Sequence, residues 1–146
     1  HATLNVLPPI KTAQVRSIQK HDEEFDLAWE GDRVGLALKN IEVENLDRGT
    51  VLTNDPAIKT STTLKTQAAL VKYWQTPIKP GMVMHVGHWM QFITAKVDTV
   101  ADSGDSKKLT LTLMLDKPLV HRPNDEAVLM YLEGAKLRVA GTIDLP

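Results

Sequence analysis

Residues 108–115 constrain the fold more than any other stretch of the chain. They read K-L-T-L-T-L-M-L, with Leu109, Leu111, Leu113 and Leu115 on one face and Thr110, Thr112 and Met114 on the other. A period of two is the pattern of a strand with one side in a core. No segment carries an apolar stripe at the helical period through three turns, and the best helical candidate is a single turn at 43–47. Further strand signals lie at 12–18, 33–39, 50–53, 62–74, 82–86, 90–97, 118–121, 127–132 and 136–145. Turn signals recur between them: Pro80-Gly81, Gly87-His88, the polar stretch 101–106, Pro123-Asn124-Asp125 and Gly134. Many short strands without a long helix predict an all-β protein of barrels or sandwiches.

Asn54-Asp55-Pro56 is a turn followed by a residue that keeps its predecessor out of helix geometry. It predicts a boundary, with one unit over 1–55 and a second over 56–146. The charges divide at the same place. The first stretch has six Lys/Arg against ten Asp/Glu, the second eleven against eight. A nucleic-acid contact is therefore favoured on the second.

Several chemistries are excluded or disfavoured. The chain has no cysteine, which rules out disulfides, thiolate metal sites and cysteine nucleophiles and fits a cytoplasmic protein. It has no apolar run of about 20 residues and so no predicted membrane span. There is no G-x-x-x-x-G-K-[ST] loop to cradle nucleotide phosphates. His85 and His88, with His121 as a third group, would be a metal site only if a turn at Gly87 brought the first two together, since strand neighbours three apart face opposite sides. The acidic run Asp22-Glu23-Glu24 with Asp26 reads as a solvated loop rather than a catalytic carboxylate pair. Neither pattern predicts an enzyme. Tyr73-Trp74 and Trp89-Met90 are either a platform for stacking bases or packing at barrel ends.

One segment carries more information. Val15-Arg16-Ser17-Ile18-Gln19 is followed, after the acidic run, by Gly31-Asp32-Arg33-Val34-Gly35, and then by Asp47-Arg48-Gly49-Thr50-Val51-Leu52. Gly31-Asp32 and Arg48-Gly49 are chain reversals, and Gly35 suits a crowded sheet. In this order and spacing the segment resembles the second half of domain II of EF-Tu-like translation elongation factors. Thr76-Pro77-Ile78-Lys79-Pro80-Gly81, His85-Val86-Gly87, Asp116-Lys117-Pro118-Leu119 and 138–143 resemble domain III, nearest to archaeal SelB-type factors.

The resemblance implies two small antiparallel β-barrels, the first lacking its opening strands. It implies a non-catalytic part of an elongation factor that meets aminoacyl-tRNA, the ribosome and a GTPase domain. GTP and magnesium would belong to that GTPase domain, and this chain would hold no cofactor. Basic residues in the matched segments, Arg33, Arg48, Lys72, Lys79 and Arg138, are the candidate RNA contacts, with Gly31, Asp32, Gly35, Asp47 and Gly49 as the structural motif. The alternative is a stand-alone protein-interaction module, favoured by an exposed apolar patch around Trp74, Trp89 and Met90. Unpaired strand edges in the shortened first barrel would favour a strand-exchanged dimer.

Overall fold

The computed structural model describes residues 1–133 and 138–146. The expected turn at Gly134 and the start of the expected strand 136–145 lie outside the described residues. The chain divides into two compact units, His1–Asp55 and Pro56–Pro146.

The first unit holds β1 (Thr3–Leu7), β2 (Lys11–Lys20), β3 (Glu23–Phe25), β4 (Gly35–Lys39), a 3-10 turn at Val43–Asn45, and β5 (Val51–Thr53). Its centre is β2. Gln14 pairs with both Thr3 and Lys39, and Ile18 with both Phe25 and Leu36. Hence β4 runs along one edge of β2, while β1 and β3 share the other. β5 joins the far edge of β1. These strands make an open sheet with no closing pair among the described residues. Only Val6, Ala13 and Val15 form its buried apolar core.

Three expectations need correction here. β1 was not foreseen: its alternation, T-L-N-V-L, is short and only Val6 is fully buried. Part of the acidic run is a strand, because β3 folds back on β2 through His21 and Asp22, both at positive φ. Gly35 is not in a crowded place. A Cβ there would meet nothing nearer than Gln19 at 4.0 Å.

The second unit holds β6 (Lys59–Leu70), β7 (Val83–His88), β8 (Gln91–Asp102), β9 (Lys108–His121), β10 (Glu126–Met130) and β11 (Val139–Asp144). They close a six-stranded antiparallel barrel in the order β10-β11-β6-β9-β8-β7. The four leucines at 109, 111, 113 and 115 face its interior, as their alternation predicts. Leu64 and Ala68 of β6, Met84 and Val86 of β7, Leu129 of β10 and Ile143 of β11 complete the core. Thr66 also points inward, and its hydroxyl is satisfied by donating to the Asp144 carbonyl.

Closure needs one close backbone approach. At Gly141 an added Cβ would lie 2.0 Å from the Ala69 carbonyl oxygen. The β6–β11 seam can form only with glycine at that position.

The second unit also departs from expectation in three places. The strand expected over 62–74 is β6, which ends at Leu70, so Lys72, Tyr73 and Trp74 lie beyond it. The residues 118–121 are no edge piece but the buried end of β9. The β6–β9 ladder jumps from Thr63↔Met114 to Ser61↔Leu119, so the segment around Asp116-Lys117-Pro118 bulges out and the strand resumes. Pro118 cannot donate to a ladder, which is why the sequence reads as two strands. The β7–β8 turn is not Gly87-His88 but Trp89-Met90, with φ of 46° and 63°. Gly87 is an ordinary ladder residue opposite Phe92 and Val128.

Candidate nucleic-acid interface

An antiparallel barrel sorts its connections onto two rims. One rim of the second unit carries residues 71–82, 103–107, 131–133 and 138. The other carries the Trp89-Met90 turn, residues 122–125 and the start of β6. The candidate cations Lys72, Lys79 and Arg138 all fall on the first rim.

Local hydrogen bonds fix that rim. Leu70 N–H donates to the Lys107 carbonyl (2.8 Å), Val71 N–H to Ala140 (2.8 Å) and Tyr131 N–H to Arg138 (2.8 Å). Segment 71–82 then crosses the barrel end. Trp74 and Ile78 drop into the core as a plug. Gly81, at φ 91°, turns the chain into β7, with its N–H on the Val97 carbonyl (2.8 Å). The alternation of buried Trp74 and Ile78 with exposed Lys72, Tyr73 and Lys79 therefore follows from one segment lying across an apolar opening.

The rim is basic. Lys72, Lys79, Lys108 and Arg138 are exposed. Sequence reasoning missed Lys107 and Lys108, because the end of a loop and the first residue of β9 carry no family motif. Lys107 Nζ donates to the Trp74 carbonyl, tying residues 103–107 to the plug. The nearby acids are partly spent on backbone. Asp102 Oδ1 accepts from Gly104 N–H and Asp105 Oδ1 from Lys107 N–H, both at 2.9 Å. Tyr131 gives its hydroxyl to Glu133 (3.2 Å), and desolvation followed by that carboxylate raises the phenol pKa.

Between the plug and the 103–107 loop opens a pocket of ≈ 510 Å³. Leu70, Trp74, Ile78, Val100 and Leu109 form its apolar lining, and Asp102, Ser106 and Lys107 stand around it. Trp74 is 3% exposed, and its Nε1 has no hydrogen-bond partner among the described residues. Beside the pocket, Tyr73 is 74% exposed, with Lys72 Nζ 5.6 Å from its ring centroid.

Arg33 and Arg48 lie in the first unit, both exposed. Arg33 follows a turn in which Gly31 has φ 91° and Asp32 Oδ2 accepts from Trp29 N–H and from Lys20 Nζ, each at 2.8 Å. Those bonds, with the Lys20 bond first, hold the Asp32 carboxyl below its usual pKa. Arg48 occupies a turn closed by Thr50 N–H on the Asp47 carbonyl (3.0 Å), with Asp47 Oδ1 accepting from Arg48 N–H (2.7 Å) and Gly49 at φ 89°.

The aromatic pairs separate. Trp74 plugs one rim, whereas Trp89 and Met90, 38% and 70% exposed, form the tip of the other. The expected single patch of Trp74, Trp89 and Met90 does not exist. The histidines have separate partners too. His85 stacks on Phe92 at 4.6 Å, His88 Nε2 lies 3.0 Å from Asp125 Oδ2, and buried His121 bonds Ser61 Oγ at 2.8 Å. No group of three metal-ligating side chains occurs among the described residues.

No protein-family model matches the chain. It is 34% identical over 97% of its length to the uncharacterized protein MJ0325 of Methanocaldococcus jannaschii, covering 43% of that protein. Over 64% of its length it is 30% identical to the selenocysteine-specific elongation factor of the same organism, covering 20% of that factor. Over 56% it is 37% identical to elongation factor 1-alpha of Pyrobaculum arsenaticum, covering 19%. Among solved structures, the apo translation elongation factor SelB of Methanococcus maripaludis matches 99% of the chain with a TM-score of 0.80 at 21% identity, over 35% of its own length. A bacterial selenocysteine-specific elongation factor matches 98% with a TM-score of 0.74. The chain spans less than half the length of each of these relatives. Its two β units have the fold of the corresponding part of SelB-type translation elongation factors, and its sequence is related to theirs and to that of elongation factor 1-alpha.

Proposed function

We propose that this chain is the non-catalytic β portion of a SelB/EF-Tu-like elongation factor, that it contacts aminoacyl-tRNA, and that it works with a GTPase domain. In this reading 1–55 corresponds to part of domain II and 56–146 to domain III. The observation that carries RNA contact is the gathering of Lys72 and Lys79, Lys108, and Arg138 on one barrel rim from three separate stretches of the sequence. Lysines and arginines that neutralise phosphates release counterions, so binding weakens steeply with salt. Arg33 and Arg48 would add contacts from the first unit.

A salt-titrated tRNA binding assay tests the proposal. The affinity should fall linearly with salt on a double-logarithmic plot, and Lys79→Glu should flatten the slope by about one contact. Binding that is negligible at low salt, or unaffected by Lys79→Glu together with Arg138→Glu, counts against it.

A second reading, docking on a protein, is favoured by the opposite rim. Trp89 and Met90 are exposed there in a turn whose positive φ values suit Asn-Gly better than bulky residues. Capture of a GTPase domain that is lost in Trp89→Ala, with no RNA binding, would support this reading instead.

A further inference from the structure

We infer that the ≈ 510 Å³ pocket at the basic rim takes one unstacked RNA base, so that the rim reads an unpaired nucleotide and not only a phosphate track. This deepens the proposed RNA contact and rests on it.

Four observations select that occupant. The volume lies within the range of small-ligand sites, so a planar ring fits. Leu70, Trp74, Ile78, Val100 and Leu109 give the face of a ring apolar contact, and Gln75 and Thr76 at the same pocket offer its edge hydrogen-bonding groups. The Asp102 carboxylate at the same pocket repels a phosphate. With Oδ1 held by the Gly104 N–H, its second oxygen is left for the N–H or amino edge of a base. Cations for a backbone lie on the same rim: Lys107 lines the pocket, Lys79 follows Ile78 in sequence, and Lys72 Nζ is 5.6 Å from the centroid of the exposed Tyr73 ring, on which a neighbouring base can stack.

The test uses the whole chain and two RNA hairpins of equal length, one fully paired in its stem and one with a single extruded purine. The bulged RNA should bind about tenfold tighter. Ser106→Phe, which fills the pocket and leaves every lysine in place, should abolish that preference without changing the salt dependence. Independently of any variant, adenosine or guanosine monophosphate should shift the Trp74 indole N–H resonance, assigned by its loss in Trp74→Phe, more than those of Trp29 and Trp89. Steep salt-dependent binding with equal affinity for both hairpins, or an unmoved Trp74 signal at saturation, overturns the base pocket and leaves the RNA contact standing. No binding of either hairpin at low salt overturns both.

Discussion

The two units are built from the same kind of strand, yet they solve the problem of a core differently. In the second, six strands return to one another, and alternate residues on every strand face a common interior. In the first, β2 gathers three neighbours but the sheet stays open. Its buried apolar side chains number only Val6, Ala13 and Val15, while Leu27, Trp29 and Val43 are 65%, 73% and 75% exposed. Burial stabilises by about 25 cal/mol for each Å² of apolar area removed from water, so closure, more than strand propensity, separates the units in stability. Amide exchange should show this as slow protection in the barrel and faster opening in the first sheet.

The sharpest way to break the contrast is to prevent closure. Gly141→Ala puts a methyl on the Ala69 carbonyl, an obstacle of rigid backbone, and should cost the barrel more than about 3 kcal/mol or stop it closing. Gly35→Ala in the first unit meets only ordinary contact with Gln19 at 4.0 Å and should change stability by less than about 1 kcal/mol. Urea unfolding followed by near-ultraviolet dichroism compares them. Equal effects would mean that closure is not what distinguishes the units.

A smaller effect should come from pH. Burial depresses the His121 pKa below its usual 6.5, against the opposing pull of the Arg122 carbonyl, to which Nδ1–H donates. The folded state therefore resists a proton that the unfolded chain accepts. This contribution is complete above about pH 6.5 and is lost as pH falls below it. The urea midpoint of the barrel should drop between about pH 7.5 and pH 5.5, and His121→Phe should flatten the drop. A midpoint that does not move over this range contradicts the assignment.

The smallest expected change is in the first unit. Asp32 has a lowered pKa through Lys20 and the Trp29 N–H, so its contribution is present above the usual carboxylate range and fades as pH falls through it. Asp32→Asn should remove the pairing with Lys20 and leave the barrel untouched, with the change confined to exchange rates near residues 20 and 29–32. The pair is solvent-exposed and its effect should shrink further in salt.

Much of the barrel was legible in the sequence because its face is regular. The leucines of β9 alternate without a break, and Pro80-Gly81 and Pro123-Asn124-Asp125 mark true turns, with Asn124 at φ 66°. What was hidden depends on partners distant in sequence. Nothing local in Val139-Ala140-Gly141 shows that Ala69 will press on the glycine. Trp89-Met90 carries none of the residues that favour a two-residue hairpin, so Gly87 attracted the assignment. Lys72, Lys79 and Arg138 were identifiable singly as basic residues of matched segments. Their shared rim, and the part played by Lys107 and Lys108, required the strand order.

The seam between the first and last barrel strands has a kinetic consequence. Ala68 must find Ile143, and Leu70 must find Gly141, before the cylinder exists. Nearly all the intervening chain must therefore be synthesised, and its loop entropy overcome, before that pairing gives anything back. Refolding should accordingly be slow for so small a body, in the millisecond-to-second range, with β7, β8 and β9 able to meet as neighbouring hairpins and β6 able to join β9 while its other edge waits for β11.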